Sequence, residues 1–302
     1  MRYYFAPMEG LTDSVYRRLH HKYFGGVDRY YMPFISPTVN RELTAREARE
    51  VPFADTEAFS AVPQIMTKVP EDFLWAAGQC KDRGYGEVNL NLGCPSGTVV
   101  AKGKGAGMLR DLDTLDHFLE EIFASAPLPI SVKTRLGLND PEEFPQILDI
   151  LNRYPIKELT VHPRVRKQFY SGEVNKEMFD YALACSKNPL CYNGDITSKQ
   201  QADRCPTEAV MIGRGLIADP GMLIGGTKKE SLAPFMEELE EEYTRLFGGV
   251  RNAMFRLKEH WGMLLPRFEN SEKLGKRLRK TTDLAEYHAI TAEMFATLPL
   301  KR

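Results

Sequence analysis

The sequence predicts an α/β fold: a (β/α)8 TIM barrel at residues 1–230, followed by a small C-terminal α-helical domain at 231–302. Three observations predict it. Short apolar runs alternate with amphipathic stretches eight times in about 220 residues, which implies parallel strands joined by right-handed crossovers. Nearly every apolar run ends in a polar or glycine-rich tip. After Asp219-Pro220 the strand signals stop, and only helical periodicity continues. A doubly wound open sheet is the main competitor.

The elements follow in order. The chain opens on the apolar run Arg2–Ala6, which ends at Pro7. Val27–Met32, Val62–Met66, Glu87–Leu92, Ile130–Thr134, Glu158–His162, Leu190–Tyr192 and Ala209–Ile212 supply the other seven expected strands. Between them lie amphipathic segments at Asp13–Tyr23, Glu71–Arg83, Leu112–Ala124, Pro141–Arg153, Asn175–Cys185 and Ser198–Arg204. Asp13-Ser14, Asp140-Pro141 and Thr197-Ser198 are helix-start signals. The tail reads as four helices: Phe235–Phe247, Val250–Leu264, Ser271–Arg279 and Ala285–Leu298.

Composition narrows the function class. No apolar run is long enough to cross a bilayer, and the first residues lack a signal-peptide layout, so a cytoplasmic protein, monomeric by default, is expected. The five cysteines, at 80, 94, 185, 191 and 205, form no Cys-x-x-Cys pair, which argues against a zinc site or a disulfide framework. The net charge is −1, so there is no global field for nucleic acid. From Arg251 onward, however, 11 Lys or Arg face 6 Asp or Glu, after the acidic run Glu237–Glu242.

In a barrel, chemistry sits at the C-terminal ends of the strands. The tips here are Pro7-Met8-Glu9-Gly10, Gln64, Asn91 with Cys94, Lys133 with Arg135, His162 with Arg164, Asn193-Gly194-Asp195 and Gly213-Arg214-Gly215. The last two suggest a phosphate site, because glycine lets backbone N–H groups come close and Arg214 adds a fixed charge. A phosphate site beside Gln64, Lys133 and His162 suits flavin mononucleotide, FMN. A lysine stabilises the negative charge of a reduced flavin, and an amide both donates to and accepts from the ring edge.

These residues resemble the tRNA-dihydrouridine synthases. The matching pieces are APMEGLTD (6–13), NLNLGCPS (89–96), the Lys-x-Gly-x-Gly-Ala run ending in Met108-Leu109, VKTRLG (132–137), HPRVRKQFYSG (162–172), NGDI (193–196) and MIGRG (211–215). They stand in the family's order and cover the whole barrel, about two thirds of the chain. The resemblance implies an FMN enzyme that uses NADPH or NADH to reduce the uracil C5=C6 bond of D-loop uridines in tRNA, with hydride passing from flavin N5 to C6. Cys94 would protonate C5; a thiol is mostly protonated at neutral pH and can act as a general acid. Pro7, Met8, Gln64, Lys133, His162, Asn193, Gly194, Asp195, Gly213 and Arg214 would hold FMN, while Asn91, Arg135 and Arg164 would face the substrate. The small residues after Cys94 are expected to form a mobile lid. Pro163 and Val165 replace the family's usual glycine and threonine, a departure in the RNA-facing loop.

A uridine inside folded tRNA must leave its stack to be reduced, so the protein needs RNA backbone contacts away from the site. Lys273, Lys276, Arg277, Arg279 and Lys280, packed into EKLGKRLRK, are the first candidates. Three other readings compete: an FMN barrel reducing a free pyrimidine, a flavin-free barrel lyase with Lys133 as a Schiff base, and a non-catalytic RNA-binding protein.

Overall fold

A computed structural model describes residues 1–301. Nine parallel strands form one sheet: β1 (Arg2–Phe5), β2 (Arg29–Tyr31), β3 (Ala61–Val62), β4 (Gln64–Ile65), β5 (Val88–Leu92), β6 (Ile130–Arg135), β7 (Leu159–His162), β8 (Leu190–Asn193) and β9 (Ala209–Ile212). Their order is β3-β2-β1-β9-β8-β7-β6-β5-β4. The two ends of this row, β3 and β4, are separated in sequence only by Pro63, so they make one stave of an eight-stave barrel. Proline has no N–H to give to a ladder, which interrupts the strand. The Pro63 carbonyl still accepts from the Asn89 N–H at 2.8 Å, and closure is completed there. The fold is the (β/α)8 barrel expected, with its third strand broken.

The surrounding helices form where the amphipathic periodicity places them, including Ser14–Tyr23, Pro70–Asp82, Leu112–Ser125, Phe144–Leu151 and Lys176–Cys185. Asp13, Asp111 and Asn175 each cap one of them by accepting a backbone N–H. The helix Ala45–Glu50, like the short helices Gly97–Ala101 and Arg214–Ala218, has no counterpart in the sequence reading. Its buried side is charged: Glu50 accepts from Arg17 at 3.0 Å, and Glu47 accepts from the Ser36 N–H at 2.9 Å. Hydrophobic periodicity carries no signal for such a helix.

Beyond the barrel, helices span Lys229–Phe247, Val250–Leu264, Glu272–Lys280 and Leu284–Thr297. They share a continuous core with one flank of the barrel. Phe5, Tyr16 and Leu19 belong to the same buried cluster as Phe235, Leu239, Leu257 and Trp261. The His260 ring stacks on Tyr16 at 4.6 Å. Part of the acidic run is a seam with the helix Ser14–Tyr23: Glu238 accepts from Lys22 and Tyr23, and Glu242 pairs with Arg18.

Candidate active site

The C-terminal ends of the strands surround a cavity of about 1220 Å3. Cys94 and all ten residues expected to hold a cofactor line it, together with Asn91, Arg135 and Arg164. Inward-facing positions alternate along each strand, so the polar residues at 89, 91, 131 and 133 enter the barrel while Leu90, Leu92 and Val132 pack outward.

A chain of amides fixes the turn that carries Cys94. Ser131 Oγ accepts from Asn89 Nδ2 at 2.9 Å, Asn89 Oδ1 accepts from Gln64 Nε2 at 2.8 Å, and Gln64 Oε1 accepts from Asn91 Nδ2 at 2.7 Å. Asn91 Oδ1 then accepts the backbone N–H groups of Gly93 at 3.1 Å and Cys94 at 2.9 Å. Burial pushes the Cys94 thiol above its ordinary value, against smaller opposing effects of the Ser96 N–H and Arg135. The thiol therefore keeps its proton at neutral pH.

The segment after Cys94, where a mobile lid was expected, is folded, with its second half buried. It forms a helix at Gly97–Ala101 and a 3-10 turn at Gly105–Arg110, with Val100 and Ala106 to Leu109 buried. Its small residues meet close neighbours: a Cβ on Gly107 would lie 2.8 Å from the Val100 carbonyl, and one on Gly105 would lie 2.9 Å from Cys94 Cβ.

The adjoining wall, from β6 onward, is cationic. Lys133 has no protein acceptor among the described residues; burial and the neighbouring Arg135 push its ammonium down to about 7. His162 lies well below the ordinary imidazole value, because burial excludes water and Lys133, Arg135, Arg164 and Arg214 oppose a further positive charge. Arg164 Nη1 stands 3.1 Å from His162 Nε2. Arginine can only donate, so Nε2 accepts and the imidazole proton sits on Nδ1.

Asp195 is the counter-ion. It accepts from Arg164, which is buried, and from Arg214 at 2.7 Å. Burial alone would raise its pKa, but these two guanidinium partners outweigh it and hold the carboxyl below its usual value. Asn193 braces β8 to β9 by donating to the Met211 carbonyl at 2.7 Å. Gly213 lies under Met8, whose sulfur would meet a Cβ at 3.1 Å, and Gly194 is closed by Val174 at 2.9 Å. Arg135 turns out to be a buried brace, with Nε donating to the Gly93 carbonyl at 3.0 Å and Nη1 to that of Val165 at 3.2 Å.

Lys273, Lys276, Arg277, Arg279 and Lys280 do not reach the cavity. They form the exposed face of the helix Glu272–Lys280, which is anchored by buried Leu274 and Leu278. The helical region instead gives the cavity Gly262, Met263, Pro266 and Arg267, which the sequence did not flag. Glu9, Phe34, Phe169 and Tyr170 also line it. Phe169 and Tyr170 both lie inside the motif HPRVRKQFYSG, which is the sequence signal for them. Among the described residues there is no cluster of three or more potential metal ligands, and no helix is long and apolar enough to cross a membrane.

A parallel barrel whose strand ends join a protonated thiol, an amide chain and a cationic wall in one cavity has the layout of a TIM-barrel enzyme. The sequence model of the family described as dihydrouridine synthase matches residues 4–296, and the chain belongs to that family. A "Probable tRNA-dihydrouridine synthase" of Rickettsia bellii (strain RML369-C) is 30% identical over 227 residues, 72% of this chain and 68% of the relative. A "tRNA-dihydrouridine synthase B" of Pasteurella multocida (strain Pm70) is 29% identical over 224 residues, 72% of this chain and 67% of that protein. The "tRNA-dihydrouridine(16) synthase" of Shigella flexneri is 28% identical over 298 residues, 92% of this chain and 94% of the relative.

Proposed function

We propose that this protein reduces the C5=C6 bond of a D-loop uridine in tRNA, with FMN as resident cofactor and NADPH or NADH as reductant, acting as a cytoplasmic monomer. The observation that carries the reading is the protonated Cys94 thiol, held on the Asn91-braced turn in the same cavity as Lys133, which has no acceptor among the described residues. The cavity residues fit an anionic flavin. Lys133 offers an amine that an anionic ring would hold protonated, His162 offers Nδ1–H, and the wall sets Lys133, Arg135, Arg164 and Arg214 against Asp195. Pro7, Met8, Gln64, Lys133 and His162 would hold the ring, and Asn193, Gly194, Asp195, Gly213 and Arg214 the ribityl phosphate. The family names of the relatives support uridine in tRNA as the substrate.

FMN, when bound in this cavity, would supply hydride chemistry at uracil C6, with NADPH or NADH as the source of the reducing equivalents. The protein's own part is the proton. Cys94 Sγ–H gives it to C5 as the C5=C6 π bond is lost, leaving a thiolate that recovers a proton from water. Lys133 and Arg135 near the thiol stabilise that thiolate. Asn91 and Arg164 orient the base, Arg135 through its hold on the turn. Arg277 and its neighbours grip RNA phosphates outside the cavity.

Nucleoside mass spectrometry on unmodified tRNA incubated with protein, FMN and NADPH tests the reading. A gain of two hydrogens on one uridine is expected, with a loss of roughly 100-fold or more in Cys94→Ala. Unmodified tRNA alongside reduction of free uracil would overturn it.

A further inference from the structure

We propose that Phe169 is a stacking platform for the unpaired nucleobase that flanks the uridine entering the cavity; this rests on the function proposed above. Gln168 to Ser171 form a tight turn, closed by the Ser171 N–H donating to the Gln168 carbonyl at 2.8 Å. Phe169 takes its first central position with φ 50° and ψ −98°. That conformation belongs to a type II′ turn and is ordinarily filled by glycine, because a Cβ there is strained.

The side chain gains nothing from the core in return. Phe169 is 44% exposed and lies at the mouth of the cavity. Its recorded ring partner is the Arg166 guanidinium, 5.1 Å from the ring centroid. A large aromatic that is both strained and exposed is not explained by folding, and strain of this kind persists where it serves a site. The neighbouring Tyr170 is already engaged: Arg214 lies 4.7 Å and Arg135 5.4 Å from its centroid, and His162 stacks beside it at 6.2 Å. Of the two rings on this turn, Phe169 is the less engaged, with the Arg166 guanidinium as its one neighbour among the described ring contacts.

The turn is also tied to the reacting group. Arg166 Nε donates to the Pro95 carbonyl at 3.0 Å, next to Cys94. Arg164 donates to the Gly172 carbonyl from the other side. The ring is thus held in register with the thiol. An aromatic face beside a guanidinium is the arrangement that binds single-stranded nucleotides, by base stacking together with attraction to phosphate. A base next to an extruded uridine has lost one stacking neighbour, and Phe169 replaces it.

The test is the affinity of unmodified tRNA transcript for the full-length protein and for Phe169→Ala, Phe169→Gly and Phe169→Trp, with a thermal melt of each. The alanine and glycine variants are expected to bind roughly tenfold more weakly, the size of one lost base–aromatic stack, and the tryptophan variant to bind as wild type. Phe169→Gly is expected to melt no lower than wild type, since glycine takes the turn without strain. Wild-type affinity in both truncated variants, or a lower melting temperature in Phe169→Gly, overturns the proposal. Wild-type protein that fails to bind tRNA overturns the proposed function as well, whereas binding that Phe169→Ala retains overturns this inference alone.

Discussion

Asn91 Oδ1 accepts the backbone N–H of Cys94 at 2.9 Å, while its amide nitrogen donates to Gln64 at 2.7 Å. One side chain therefore sets the turn that aims the thiol and ties that turn to β4, the adjoining half of the broken stave. The position of the thiol is decided by a residue inside the strand, three places before it.

Removing that amide should misplace the thiol. Asn91→Ala leaves two buried N–H groups without acceptors, at a cost of about 1–3 kcal/mol in stability. Dihydrouridine formation should fall by roughly 100-fold, the effect of a displacement of about 1 Å. Asn91→Asp keeps both acceptor bonds and should lie between. Turnover by nucleoside mass spectrometry, with a urea melt for stability, checks the order; equal turnover in all three proteins would refute it.

Lys133 gives a pH signature. Its folded value of about 7 lies below the ordinary 10.5. The unfolded chain therefore binds the extra proton between those values. Holding the lysine inside costs stability in full below pH 7, progressively less up to 10.5, and nothing above. Cofactor-free Lys133→Met should melt higher than wild type at pH 6, with the gain fading as pH approaches 10.5, and it should bind FMN more weakly. Melts across pH with an FMN titration test both; a pH-independent difference would count against the assignment.

Asp195 works in the opposite sense. Its folded pKa is held below 3.8 by Arg164 and Arg214. Its contribution is present above about pH 4 and is lost as pH falls through the folded value. Asp195→Asn should cost about 1 kcal/mol at neutral pH, a modest figure because solvent screens the half-exposed carboxylate, and the acid limb of the stability curve should flatten. Chemical denaturation at pH 7 and pH 3 measures it, and an unchanged gap between the two would rule the contribution out.

The basic helix should act through charge alone. Arg277 and Arg279 are exposed, and among the described residues Arg277 pairs with Glu293, at 3.3 Å. Reversing both to glutamate should weaken tRNA binding most at low salt and make the salt slope shallower by roughly 1–2. Filter binding across a salt series reads this directly. Affinity that does not change at any salt would remove the helix from the RNA path.

The sequence by itself determined the barrel and the composition of its mouth. Both follow from local periodicity: alternating apolar runs mark β5 to β9, and the strand tips carry Cys94, Lys133, His162 and Asp195 into one cavity once the strands are parallel. Tertiary structure decided the partners. The bonds from Gln64 to Asn89 and from Arg164 to Asp195 join residues 25 and 31 positions apart, and no local pattern encodes such a pairing. It also turned Arg135 into a brace, gave the helix Ala45–Glu50 a charged inner face, packed the small residues after Cys94, and merged the tail helices with the barrel core. The physical reason is common to all four. Periodicity reports how much of a residue is buried, whereas hydrogen-bond geometry and close packing depend on which surfaces meet when the chain closes on itself.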